Sequence, residues 1–278
     1  MLGLRIEDDA EVPPTPDGSD AGVTVWTDTD GVPCAYGRTI GESRWVHIPG
    51  VGAFRFESAG SEVTALPRAS ASTELVVDTF NRTVLPLALQ ALGQEVLHSS
   101  AVLVNDSVVA ICAVSGTGKS TIACALSRRG HPLWADDAVC FDSSARPIRA
   151  LQQPFRLRLR PASAEFFGTD AHDDSQAFSE GSSDAELGAV VVLERHAGES
   201  MPTVHRLEGS EAFVAALTHG YVFDPENKVR NARMVRSYLE LVDRVPVFRL
   251  SFSPGLDGLT GIIEQLEHAL GDVLPSAA

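Results

Sequence analysis

A chain of 278 residues, 44% of them hydrophobic, is long enough for one large core or two small ones. Its 22 Lys and Arg against 37 Asp and Glu leave a formal net charge of −15, which argues against a partner made of nucleic-acid backbone, because phosphate contacts need cations. No apolar run approaches a bilayer span and no basic-then-apolar leader opens the chain, so a soluble, cytoplasmic protein without a membrane partner is expected. Cys34, Cys112, Cys124 and Cys140 have neither metal-ligand spacing nor a paired framework and read as reduced packing residues.

In chain order, residues 1–20 read as a flexible acidic tail, since 7–20 are rich in Asp, Glu and Pro with little to bury. From Val23 to about Pro67 short apolar groups alternate with turn signals: Val23 to Trp26, Thr29-Asp30-Gly31, Trp45 to Ile48, Pro49-Gly50, Phe54-Arg55-Phe56. That pattern predicts a small antiparallel β region, either a plain cap on the core or a peptide-docking edge. Residues 73–92 carry apolar positions at helical spacing and contain Pro86, which predicts a kinked helix or two helices. Residues 21–92 are thus expected to form one β-rich region with a connecting helix, and 93–272 the catalytic domain, with 273–278 a tail.

Leu97 to Val104 alternates like a strand, begins with His98, and turns through Asn105-Asp106 into the unbroken apolar run Val108 to Ala113. That run feeds Val114-Ser115-Gly116-Thr117-Gly118-Lys119-Ser120-Thr121, a Gly-rich turn opening a helix, which is the architecture of a phosphate-binding loop. Gly116 and Gly118 let backbone N–H groups curl around phosphate oxygens, Lys119 brings a point charge, and the Ser120 hydroxyl is suited to Mg2+. Ser115 to Thr121 are therefore the candidate nucleotide-binding residues, although Ala113 stands where the pattern has its first Gly. Ile122, Ala125 and Leu126 continue a helix that Gly130 stops, and Leu133 to Ala135 predicts a strand that delivers Asp136 and Asp137 at its carboxyl end. Two such carboxylates suit Mg2+ or a nucleophile, or else start an acidic turn; Asp136 is the candidate metal residue beside Ser120.

Arg156, Arg158 and Arg160 alternate with Leu157 and Leu159, which predicts a strand over 152–160 whose arginines either clamp an anion or guard an exposed edge. Residues 169–186 are rich in Asp, Ser and Gly and are expected to form a loop, with a lid among its readings. Strands are predicted at Leu187 to Leu193 and Val247 to Phe252, and helices at Glu211 to Leu217, Ala232 to Val242 and Leu259 to Leu270. Arg230, Arg233 and Arg236 recur every three residues, as on a solvated helix face or one turned to a nucleotide or partner.

His98, the loop Ser115 to Ser120, Arg129-Gly130-His131 and Trp134-Ala135-Asp136-Asp137 resemble the catalytic core of bacterial HPr kinase/phosphorylase and its relatives, among them peptide serine kinases of lasso-peptide and other modified-peptide pathways. The resemblance is specific over residues 97–141 and weaker onward to Phe252. It implies an α/β (α+β) fold: a P-loop kinase core, of the type shared with phosphoenolpyruvate carboxykinase, behind a mainly β amino-terminal region. It further implies ATP and Mg2+ as cofactors, a serine-containing peptide or small protein as substrate, and an oligomer as an open option. Residue by residue, Asp137 matches the family's proton acceptor, His98 and Lys119 its other catalytic positions, and Ser120 its Mg2+ ligand. The family's Arg-Gly-rich signature, with its metal-binding Glu, has no counterpart here. The implied activity is ATP-dependent transfer of a phosphoryl group to a serine hydroxyl; the alternatives are a small hydroxyl acceptor such as free serine, or a non-catalytic ATP-binding module.

Overall fold

The structure, a computed structural model, describes residues 2–8, 11–28, 30–169, 184–198 and 201–274. It is mixed α/β and separates into two compact units. One holds the chain up to Gln94 together with Tyr221–Arg233; the other holds Glu95–Gly220 and the chain from Met234 onward.

The first unit is built on a six-stranded sheet of β1 (Gly3–Ile6), β2 (Val23–Thr27), β3 (Pro33–Ile40), β4 (Ser43–Ile48), β5 (Gly52–Glu57) and β6 (Glu62–Pro67). Its order is β1-β6-β5-β4-β3-β2, an antiparallel meander from β2 to β6 with β1 laid parallel to β6. The start of the chain is therefore not a loose tail throughout. Leu4 and Ile6 are half-buried while Gly3 and Arg5 are exposed, and Arg5 Nε pairs with Glu62 at 3.1 Å. This short period-2 signal is outweighed in sequence by the acidic, Pro-rich stretch after it, of which 11–17 form neither helix nor strand.

Phe54, Phe56, Val46 and Val63 fill the unit's core, and Phe223 from the returning segment packs edge-on to Phe56 with centroids 5.8 Å apart. Helix α1 (Thr73–Thr79) and helix α2 (Leu85–Ala91) are joined by a π-helical turn over Phe80–Val84, with Leu85 N–H donating to Phe80 O. The expected break at Pro86 thus takes the form of a widened turn just before it, because proline offers no N–H and crowds the carbonyl four residues back. Arg230 donates from Nε to Gln90 O at 2.8 Å and to Gln94 O at 2.7 Å, so this guanidinium closes the carboxyl end of α2 and is not turned to a nucleotide.

His47 on β4 is only 1% exposed, stacks on Trp45, and leaves Nε2 buried without a hydrogen-bond partner. Burial, then the charge of Arg38, pull its pKa down to about 4. The folded state thus holds His47 neutral while the unfolded chain protonates it below about 6.5, so this stability is complete above pH 6.5 and is lost as pH falls toward 4. Denaturant titrations at pH 7 and pH 5 should show about 2 kcal/mol less acid destabilisation in His47→Leu than in wild type. Equal losses in the two proteins would contradict this.

The second unit carries a nine-stranded mixed sheet of β7 (Glu95–Leu97), β8 (Ser99–Val104), β9 (Ser107–Cys112), β10 (Leu133–Ala135), β11 (Val139–Asp142), β12 (Arg149–Leu151), β13 (Ala185–Arg195), β14 (Thr203–Leu207) and β15 (Val247–Phe252). The hairpin β8–β9 turns through Asn105 and Asp106 at φ 49 and 61, the twist-matched turn that Asn and Asp tolerate. Strands β9, β13 and β15 run parallel; β13 and β15 end together at Arg195 and Phe252, three residues beyond the end of β9 at Cys112. Strand β9 is buried on both faces, with Val109 and Ile111 in the main core and Val108, Ala110 and Cys112 also sealed from solvent, which explains its unbroken apolar run.

Helices α3 (Lys119–Arg128), α4 (Pro161–Phe167) and α7 (Leu259–Gly271) contribute Ile122, Leu126, Phe167, Ile262, Ile263 and Leu266 to that core. Helix α5 (Gly209–Leu217) and α6 (Lys228–Arg244) complete the chain, the boundary between units falling within α6. Tyr238 of α6 sets its ring edge-on to Phe141 and donates its hydroxyl to Val96 O at 3.0 Å. The expected strand over 152–160 is mostly irregular, with a single bridge at Arg158: Leu157 and Leu159 do point into the core, but among the described residues no named strand pairs along the segment. Of the expected loop 169–186, residues 170–183 lie outside the described residues and Ala185 already belongs to β13. In the expected tail 273–278, Val273 and Leu274 pack on the core, and 275–278 lie outside the described residues.

Candidate active site

The site begins where β9 ends. Gly116 and Gly118 sit at φ 84 and 121, values that L side chains rarely adopt, and these let the chain double back before α3 starts. Thr117 N–H donates to Val114 O at 3.1 Å, closing the turn. Gly118 is the N-cap of α3, no side chain caps the helix, and its first turn holds no acidic residue. Among the described residues the loop's N–H groups other than that of Thr117, and the positive helix end, thus remain available to an anion. Lys119 is 8% exposed and donates from Nζ to Ala113 O at 3.0 Å, so its ammonium is folded back over the loop's entrance. Burial draws its pKa below the ordinary lysine range, and Asp137 leads the charges that oppose this.

The antiparallel register sets the carboxylates against the loop. Ala135 pairs with Ala101 on one side of the Asp136-Asp137-Ala138 step, and Val139 pairs with Leu97 on the other. The Asp136-Asp137-Ala138 step between those pairs is a bend, and it brings the Asp136 carboxylate onto Ser100. Asp136 is 7% exposed and accepts three hydrogen bonds: Ser100 Oγ to Oδ1 at 2.6 Å, Ser120 Oγ to Oδ1 at 3.0 Å, and Arg158 N–H to Oδ2 at 3.1 Å. Burial, then the neighbouring charge of Asp137, push its pKa up to about 6 despite those donors. Asp137 is half-buried with φ 68, an uncommon backbone for a residue with a side chain, and its charge reaches both Asp136 and Lys119.

Among the expected site residues, Lys119, Ser120, Asp136 and Asp137 are brought together around one loop. His98 occupies the single-residue step between β7 and β8, its N–H donating to His219 O at 2.7 Å. Ser115 is exposed on the loop, while the Thr121 and Ser163 hydroxyls are hydrogen-bonded at 2.9 Å, which turns the Thr121 group toward α4 instead of toward an anion. The fit to Mg2+ is one of donor chemistry: a hydroxyl and a carboxylate already in contact, the carboxylate pair burdened by mutual repulsion, both hard oxygen donors. Among the described residues no group of three His, Cys, Asp or Glu side chains is placed to hold an ion.

Three participants have roles that the sequence does not mark. Arg158 enters through its backbone N–H, which any residue offers. Ser100 looks like one of many strand serines until the register sets it on Asp136. His219, past the end of α5, has its pKa pulled down to about 4 by burial and then by the charge of Lys119, so it is a neutral neighbour of the loop. Gly116→Ala is expected to weaken nucleotide binding at least about tenfold while moving the melting temperature little, since the new Cβ strains a surface turn and not the core. Calorimetric titration beside a thermal melt checks it, and unchanged binding would contradict it.

No protein-family model matches the sequence, and no curated protein does. Among solved structures, the HPr(Ser) kinase/phosphatase from Coxiella burnetii is similar over 63% of this chain and 89% of its own, at 14% sequence identity and a TM-score of 0.36.

Proposed function

We propose that the chain is an ATP-dependent kinase that transfers a phosphoryl group to a serine hydroxyl of a peptide or small protein, the precursor of a ribosomally made modified peptide being the leading acceptor. The observation that carries the reading is the junction of Ser120 with Asp136, which ties the start of α3 to the end of β10 beside a buried Lys119. Loop N–H groups and Lys119 would hold the phosphates, and a divalent ion on Ser120 and Asp136 would neutralise charge on them.

Asp137 then accepts the proton of the serine Oγ. That oxygen forms the new bond to the terminal phosphorus, while the bond from phosphorus to the bridging oxygen breaks and its electron pair leaves on ADP. His98, matched to the family's other catalytic position, would share that proton with Asp137. The acceptor class rests on the resemblance of His98, the loop and the Asp136-Asp137 pair to peptide serine kinases. The test is a mass-spectrometric assay with Mg-ATP in which serine-containing precursor peptides compete with free serine. A gain of one phosphate on a peptide serine, unaffected by free serine, is expected; phosphate on free serine alone would move the acceptor to small molecules, and none on either would leave a binding module.

A further inference from the structure

Two arginines converge on the loop: Arg160, from the alternating run that reads either as an anion clamp or as an edge guard, and Arg195, which no sequence pattern singles out. Arg160, the residue before α4, brings its guanidinium so near Gly116 that a Cβ there would meet its terminal nitrogens at 2.7 and 3.1 Å. Arg195 closes β13, three residues beyond the Val192 to Cys112 pairing with β9, at the end of the sheet where the loop begins. Its nearest nitrogen is 3.7 Å from the Cβ position of Gly118. Both residues are exposed, and neither guanidinium has an ion pair among the described residues.

With Lys119 this makes three cations at one short turn, in a chain of net charge −15. Like charges at such range repel, the more so because the positive charge of Arg160 already bears on Lys119. Asp136 and Asp137 act on Lys119, whereas the two guanidinium groups face the glycines, the positions where backbone is barest and an anion's oxygens come closest. The loop's own N–H groups and helix end serve inner phosphates. Arms reaching in from other segments meet the group that projects beyond the loop.

We propose that Arg160 and Arg195 grip the terminal phosphate of the bound nucleoside triphosphate, so that this pair tells triphosphate from diphosphate. The assignment rests on the reading of the loop as a nucleotide site. Planar guanidinium groups can bridge two phosphate oxygens each, and in the same position they face the oxygens over which charge spreads during transfer.

The test is calorimetric titration of wild type, Arg160→Ala and Arg195→Ala with ATP and with ADP, with and without Mg2+. Each substitution is expected to weaken ATP about 10- to 100-fold and ADP less than about threefold, with Arg160→Lys recovering only part of the loss because an ammonium does not bridge two oxygens. Equal weakening of both nucleotides, or none, would overturn the assignment and leave the loop a nucleotide site. A wild-type chain that binds neither nucleotide would overturn the loop reading and this assignment with it.

Discussion

Asp137→Asn is expected to lower phosphoryl transfer about a thousandfold while ATP affinity stays within about threefold of wild type. The change keeps shape, and asparagine tolerates the left-handed backbone at φ 68 as aspartate does, so folding should survive. It removes the proton acceptor. It also removes the repulsion that adds to burial in raising Asp136, so the remaining carboxylate should bind a divalent cation at lower pH than in wild type. Steady-state transfer beside nucleotide titration separates these effects. Transfer at wild-type rates would contradict the role given to Asp137, and loss of ATP binding in step with activity would make it a structural residue.

Lys119→Met should weaken ATP binding by about two orders of magnitude and take transfer below detection. The thioether keeps the buried aliphatic volume of a side chain only 8% exposed, so the loss is one of charge and not of packing. Removing an ammonium that burial already disfavours, beside Arg160, should leave the melting temperature of the nucleotide-free protein unchanged or slightly higher. A large fall in melting temperature would show instead that the contact from Nζ to Ala113 O mainly holds the loop together.

What the sequence made legible follows from how local each signal is. Strand β9, the loop, α3 and β10 form a contiguous run in which apolar runs, two glycines and a Gly stop each speak for their own backbone, and the structure has them where the pattern implies. The mixed α/β organisation with a β-rich amino-terminal region was legible for the same reason. Pairing between distant segments was not. Strand β1 joins β6 across more than fifty residues on three alternating side chains, and Tyr221–Arg233 returns to the first unit through Phe223, a residue whose partners Trp26 and Phe56 no local pattern names. The arginine alternation at 156–160 reads as a strand, and its leucines do face the core, yet the Arg158 N–H goes to Asp136 and the segment ends with Arg160 at the loop. The shell around Asp136 likewise depends on register, which brings Ser100 onto it, and register is a property of two strands at once.

The most direct test of the account is a single-turnover reaction of the purified chain with Mg-ATP labelled in its terminal phosphate and a serine-containing precursor peptide. The account predicts that label leaves ATP only as an acid-stable, base-labile ester on a peptide serine, with one ADP formed for each, and that Lys119→Met abolishes both products together. Label that stays in ATP, or appears solely as inorganic phosphate, would contradict a kinase built on this loop.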